Sequence, residues 1–148
     1  MKNIKAVFFL CFVTSTLIAQ DYNVVFDHVA LSVSNAQESI EFYTKTLRLE
    51  EITNRTEKEG IRWMSLGEGK ELHLVSTIKE KVEINKAVHF AVKVGDFDGF
   101  IERLKKMNIS YSDWPGSPNV VSVRADGIRQ IYFQDPDGYW IEVNSASL

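Results

Sequence analysis

The chain has 148 residues, enough for one domain with a real core and too few for two of ordinary size. Its 17 basic and 20 acidic residues give a net charge of −3, which leaves no basic footprint for nucleic acid. No Lys/Arg-rich amphipathic segment suits it to a membrane surface, and 45% hydrophobic with 25% charged residues is an ordinary globular composition.

The first residues read as a leader rather than as part of a fold. Lys2 and Lys5 precede an apolar run from Ala6 to Ala19, and the small Ala19 stands just before Gln20-Asp21. That order is the grammar of a secretory signal peptide over residues 1–19, and the run is shorter than the roughly 20 residues that span a bilayer. The expectation is a secreted or periplasmic protein with no stable membrane association after cleavage. Cys11, the only cysteine, lies inside this run. The mature chain is therefore expected to lack disulfides, thiolate ligands and cysteine nucleophiles.

Phe26 to Val33 alternates as a strand, with Val29, Leu31 and Val33 on one face and His28, Ala30 and Ser32 on the other. Ser34 or Asn35 caps a helix from about Ala36, whose Ile40, Tyr43 and Leu47 recur at helical spacing. Leu49 to Arg55 is a strand candidate. Turns at Lys58-Glu59-Gly60 and Gly67-Glu68-Gly69 bracket a strand over Ile61 to Leu66 and introduce another over Glu71 to Val75. Residues 77–86 read as a linker.

The second half repeats the first. Val88 to Val94 is a strand with His89 and Ala91 on one face, and Asp96 caps a helix from Phe97 to about Met107. Trp114-Pro115-Gly116 lies in a loop, and Val120–Arg124, Ile128–Phe133 and Tyr139–Asn144 are strands. Asp135-Pro136-Asp137-Gly138 has Pro and Gly where a type I turn wants them. At the spacing that carries His28 onto His89, Ile40 falls on Ile101, Glu41 on Glu102 and Lys45 on Lys106. Ile61-Arg62-Trp63 matches Ile128-Arg129-Gln130, and registering Leu72 on Ile141 sets His73 opposite Glu142. One module is written twice, over 25–76 and 87–144, within a single domain of 25–144.

The three histidines and Glu142 thus take four matched strand positions. If the four strands line one concave surface, His28, His73, His89 and Glu142 form a set for a divalent transition metal, with zinc, nickel, iron and manganese all compatible. Ligands spread over four strands describe a site preassembled by the whole fold, with positions left open for substrate. Arg62, Trp63, Trp114, Arg129 and Trp140 are candidates for a substrate wall, the arginines for a carboxylate or phosphate; equally, the tryptophans would serve as core or rim and the arginines as solvated surface. Glu71 is either an auxiliary base or a surface carboxylate beside Lys70.

At these residues the chain resembles the vicinal oxygen chelate superfamily, which includes glyoxalase I, methylmalonyl-CoA epimerase, extradiol dioxygenases, fosfomycin-inactivating enzymes and bleomycin-binding proteins. The resemblance is carried by His28-Val29-Ala30-Leu31-Ser32-Val33, by Glu41 to Leu47, and by Asp135-Pro136-Asp137-Gly138-Tyr139-Trp140-Ile141-Glu142. It implies an α+β fold of two paired βαβββ modules, a cupped and mostly antiparallel sheet around a metal-binding cleft. His28, His89 and Glu142 match the family's common ligand positions. His73 matches a fourth, which glyoxalase I usually fills with glutamate and the epimerase with glutamine. The resemblance further implies lyase or isomerase chemistry on a small-molecule substrate that chelates the metal through adjacent oxygens, with Glu142 moving the proton. Two other classes stay open: an iron-dependent dioxygenase, and a non-catalytic protein that binds an antibiotic or other small molecule. A homodimer that completes the cups is also compatible with the sequence.

Overall fold

Each helix starts on the cap that the sequence supplies. The computed structural model describes residues 22–148, so the leader lies outside the described residues. The Asn35 side chain accepts from the backbone N–H groups of Gln37 and Glu38 at 3.0 and 3.3 Å, opening α1 (Ala36–Leu47). Asp96 accepts from Gly99 N–H at 2.8 Å, opening α2 (Phe97–Lys106). The two helices end differently. Arg48 closes α1 in the left-handed region, φ 58°, where a side chain costs about 1–2 kcal/mol and glycine is the usual choice. Just beyond α2 the left-handed residue is Asn108, a side chain better tolerated there. No described helix is long and apolar enough to cross a membrane.

Module one runs β1 (His28–Ser32), α1, β2 (Glu51–Ile52), β3 (Ile61–Gly67) and β4 (Lys70–Val75). Module two runs β5 (His89–Lys93), α2, β6 (Ser122–Val123), β7 (Arg129–Gln134) and β8 (Trp140–Asn144). Each builds one four-stranded sheet, ordered β1-β4-β3-β2 and β5-β8-β7-β6, with one parallel pair and two antiparallel pairs. This is the expected α+β pair of βαβββ modules. The outer strands β2 and β6 are shorter than their sequence signals suggest, because only two residues of each reach the ladder. The Asp135–Gly138 turn closes as expected, with Gly138 N–H donating to Asp135 O at 3.0 Å.

The ladders confirm one alignment of the duplication and correct another. His73 sits between Ala30 and Trp63, and Glu142 between Ala91 and Tyr132, so the two occupy equivalent positions. Trp63 is therefore the counterpart of Tyr132, two positions from the Gln130 to which similarity of sequence assigns it.

Alternation sends Leu31, Met64, Leu72 and Leu74 of the first sheet and Ile131, Phe133, Ile141 and Val143 of the second into a single core, with Ile40, Tyr43, Phe100 and Leu104 from the helices. Each fully buried Leu or Ile there contributes about 1.5–3 kcal/mol. Polar contacts cross between modules at one end of that core. Tyr43 is fully buried and donates its hydroxyl to Asp135 at 2.7 Å. Burial pushes both groups above their ordinary values, and the hydrogen bonds that Asp135 accepts from Tyr43, Tyr139 N–H and Asp137 N–H oppose that push on the carboxyl. Tyr139 Oη donates to Ser32 O at 3.0 Å and accepts from Ser32 N–H at 3.1 Å. Because both sheets turn their apolar faces to one shared core, their other faces point away from it. On those faces Ala30 and Ala91 are exposed, and there the site residues lie.

Candidate functional site

On the first sheet the outward face carries a stack of four groups. The Arg55 guanidinium lies 4.5 Å over the Trp63 ring, Trp63 stacks on His73 at 4.1 Å and 6°, and His73 stacks on His28 at 4.2 Å and 15°. Strand register makes this possible, because Trp63 and His73 are direct cross-strand partners and Ala30, opposite His73, leaves room above the sheet. Two carboxylates hold the stack at its edges. Asp27 is 2.7 Å from His28 Nδ1, and Glu71 binds both His73 Nε2 at 2.8 Å and Arg55 Nη2 at 2.8 Å. His73 first, and Arg55 with it, hold the Glu71 carboxyl below its ordinary range; the His28 hydrogen bond does the same for Asp27. Glu71 is thus neither a free base nor a surface partner of Lys70. It is buried and already occupied.

The second sheet holds its residues by hydrogen bonds. Glu142, 7% exposed, accepts from Tyr132 Oη at 2.7 Å and from the Asn144 side-chain amide at 3.0 Å. His89 Nδ1 lies 2.8 Å from Lys86 O, which can only accept, so that nitrogen carries a hydrogen and Nε2 is the edge turned toward Glu142. Nε2 lies 3.5 Å from Glu142 Oε2. With a hydrogen on Nε2 the two form a direct ion pair, and without one they are two electron-pair donors facing the same space. Trp114, in its loop and 48% exposed, meets His89 edge-on at 6.0 Å and Tyr132 at 5.4 Å. Lys86 Nζ lies 4.3 Å over Trp140 and is fastened to Ser112 Oγ and the carbonyls of Asp113 and Trp114. Burial and the bond to Glu142 raise the Tyr132 hydroxyl above its usual range, which keeps it a donor.

The four matched positions therefore form two pairs, His28 with His73 and His89 with Glu142, on separate sheets. Among the described residues no group of three or more histidine, cysteine or carboxylate side chains is placed to hold one ion. Trp63, Trp114 and Trp140 lie with these pairs, but the two arginines do not. Arg62 shares the helix side of its sheet with Met64, where it binds Glu51 (Nη2 at 2.7 Å) and Gln37 of α1 at 3.1 Å. Arg129 binds Asp98 of α2 at 2.6 Å and covers the Phe97 ring at 4.7 Å. Both lie away from the face expected to meet substrate, and Arg55, Tyr132 and Lys86 lie on it beside the tryptophans. Tyr132 was legible, since it alternates with Ile131 and Phe133 on β7; Arg55 sits in a loop and gave no periodic signal.

A family model described as Glyoxalase/Bleomycin resistance protein/Dioxygenase superfamily matches residues 25–143. The chain belongs to this superfamily. Among curated relatives, a metallothiol transferase FosB of Staphylococcus haemolyticus is 30% identical over 129 residues, covering 82% of this chain and 84% of that protein. The uncharacterized protein YwbC of Bacillus subtilis is 25% identical over 122 residues, 78% of this chain and 93% of its own. Among solved structures, a putative glyoxalase family protein from Bacillus anthracis superposes with a TM-score of 0.68 at 27% identity, covering 87% of this chain and all of the other (100%). An oxidase named ChaP-H2 has the same fold, with a TM-score of 0.68 at 22% identity over 84% of this chain and 95% of that one. This is the vicinal oxygen chelate superfamily that the sequence motifs resemble.

Proposed function

We propose that this protein is a divalent-metal-dependent enzyme whose ion is held by His28, His89 and Glu142, and that two copies of the chain complete each cup. The observation that carries the reading is the His89–Glu142 pair: with Nδ1 committed to Lys86 O, His89 turns Nε2 toward a carboxylate oxygen 3.5 Å away, a separation that suits two ligands of one cation. His28 fits as the third donor, because Asp27 engages its Nδ1 and leaves Nε2 available, the carboxylate–histidine support common behind metal ligands. His73 fits less well. Imidazole lone pairs lie in the ring plane, and two planes stacked 4.2 Å apart do not meet at one ion, so His28 and His73 as arranged cannot both donate to it.

A second copy supplies the missing half because each chain turns its two site faces away from its core. The first sheet of one subunit then faces the second sheet of its partner, with a small-molecule substrate in the cup. A bound ion of this kind supplies Lewis acidity to two adjacent substrate oxygens, or, if it is iron, oxygen activation. Glu142 is pinned by Tyr132 and Asn144, which suits a ligand better than a base that must swing onto substrate. Oxygenation or addition to a metal-chelated substrate therefore comes first in this reading. Proton transfer by a lyase or isomerase comes second, supported by the glyoxalase-like position of Glu142. Export through cleavage near Ala19 is part of the same proposal, and intact mass of exported protein tests it.

The direct test is metal content and oligomeric state of protein purified without a histidine tag, followed by complementation. His28→Ala and His89→Ala homodimers should each lose the metal, while mixed dimers of the two should recover one site per dimer. No recovery in mixed dimers would sink the shared cup; undiminished metal in both variants would sink the ligand set. Parallel oxygen uptake and deuterium incorporation on an active substrate then separate the two chemistries.

A further inference from the structure

On the helix side of the molecule, away from the cup faces, an open cleft of about 780 Å³ lies between the C-terminal end of α1 and α2. Small-molecule sites commonly span roughly 300–1,000 Å³. Its walls are largely apolar, from Leu47, Val94, Phe100 and Met107. Its charges are unevenly committed. Asp96 is used by Gly99 N–H, Glu102 by Lys105 at 2.8 Å, Lys45 by Glu41 at 3.1 Å, and Arg103 by the carbonyls of Lys45 and Thr46. Arg48 and Lys106, both lining the cleft, have no side-chain partner among the described residues.

The backbone adds a separate observation. Arg48 occupies the left-handed position that ends α1, where glycine would be favoured and where α2 uses Asn108. Glu57 and Glu68 also take left-handed φ, so the point of Arg48 is its place: it sets a guanidinium at the edge of the cleft where glycine would set nothing. We propose that this cleft binds a small organic anion, a carboxylate or sulfonate on a compact apolar body. The head lies toward Arg48 and Lys106 and the hydrocarbon against the apolar wall. Because α1 belongs to one module and α2 to the other, such a ligand bridges the two modules without touching the cup.

Fluorescence titration of the full chain with anilinonaphthalene sulfonate, and displacement by octanoate, test this directly. Arg48→Gly should raise Tm by relieving the left-handed residue and yet weaken the probe about tenfold, the effect of losing one contact worth about 1.4 kcal/mol. Lys106→Ala should weaken the probe comparably without raising Tm; metal content should be unchanged in both. The opposite directions of Tm and affinity in Arg48→Gly are what a merely structural arginine would not produce. Equal probe affinity in Arg48→Gly, Lys106→Ala and the parent would overturn the proposal. So would displacement by sodium sulfate as efficient as by octanoate, which would mean bare charge attraction, or no displacement by octanoate at all.

Discussion

The two modules share a backbone plan but immobilise their equivalent residues by different physics. At the central position of the first sheet His73 is clamped by flat faces, with Trp63 on one side and His28 on the other. At the same position of the second sheet Glu142 is clamped by donors, Tyr132 and Asn144. A ring stack fixes a plane while leaving in-plane nitrogen edges to be chosen by neighbours such as Glu71 and Asp27. A pair of hydrogen bonds fixes the oxygens themselves. Duplication preserved the geometry of the strands, and each copy then found its own way to hold a side chain still.

The contrast breaks most visibly at Glu142. Glu142→Ala should reduce metal affinity, measured by calorimetric titration, by more than the roughly 10–100-fold typical of losing an outer-shell partner. It also leaves Tyr132 and Asn144 without an acceptor. Tyr132→Phe, which removes only the supporting donor, should fall within that 10–100-fold range. His73 sharpens the comparison from the other side. His73→Phe keeps a flat ring between Trp63 and His28 but has no nitrogen, so metal affinity should stay within about threefold of the parent, whereas His73→Ala should lower it about tenfold by freeing the His28 ring. A loss in His73→Phe as large as in Glu142→Ala would return His73 to the ligand set.

Two smaller effects concern the frame. Tyr43→Phe removes a buried hydrogen bond to Asp135 between the modules and should cost about 1–3 kcal/mol in denaturant unfolding. Arg62→Ala should leave metal binding untouched and cost at most about 1 kcal/mol, since its pair with Glu51 is partly exposed. That small cost has a pH signature. Arg62 holds Glu51 below its ordinary value of 4.5, so the pair's contribution is complete above that value and is lost as pH falls through the lower folded-state value. Tm of parent and variant should therefore converge on acidification.

Much of the architecture was legible because its signals are local. Asn35 and Asp96 announce helix starts, alternation announces β1, β4, β5 and β8, and the repeat assigns His73 to the position of Glu142. The misassignment of Arg62 was avoidable: adjacent strand residues point to opposite faces, so Arg62 and Trp63 cannot line one wall. Other features lay beyond a sequence reading. Alternation tells which residues share a face but not which faces confront each other, so the division of the four positions into two pairs required the packing of both sheets on one core. Arg55 reaches its stack through a loop path that no periodicity encodes. β2 was overextended because an exposed charged stretch carries little pattern, and β6 because the valine-rich run Val120 to Val123 reads as strand although only Ser122 and Val123 pair.

The double contact between Tyr139 and Ser32 has a consequence of another kind. β1 is an edge strand, and an edge exposes backbone groups that can recruit a strand from another molecule. At Ser32 one phenolic hydroxyl occupies both the N–H and the C=O that would begin such pairing. Two residues on, Ser34 N–H is likewise taken, by Asp137 at 2.8 Å. The closing turn of module two thus blocks that end of the β1 edge to addition of a further strand, and protection from aggregation in module one depends on module two being folded.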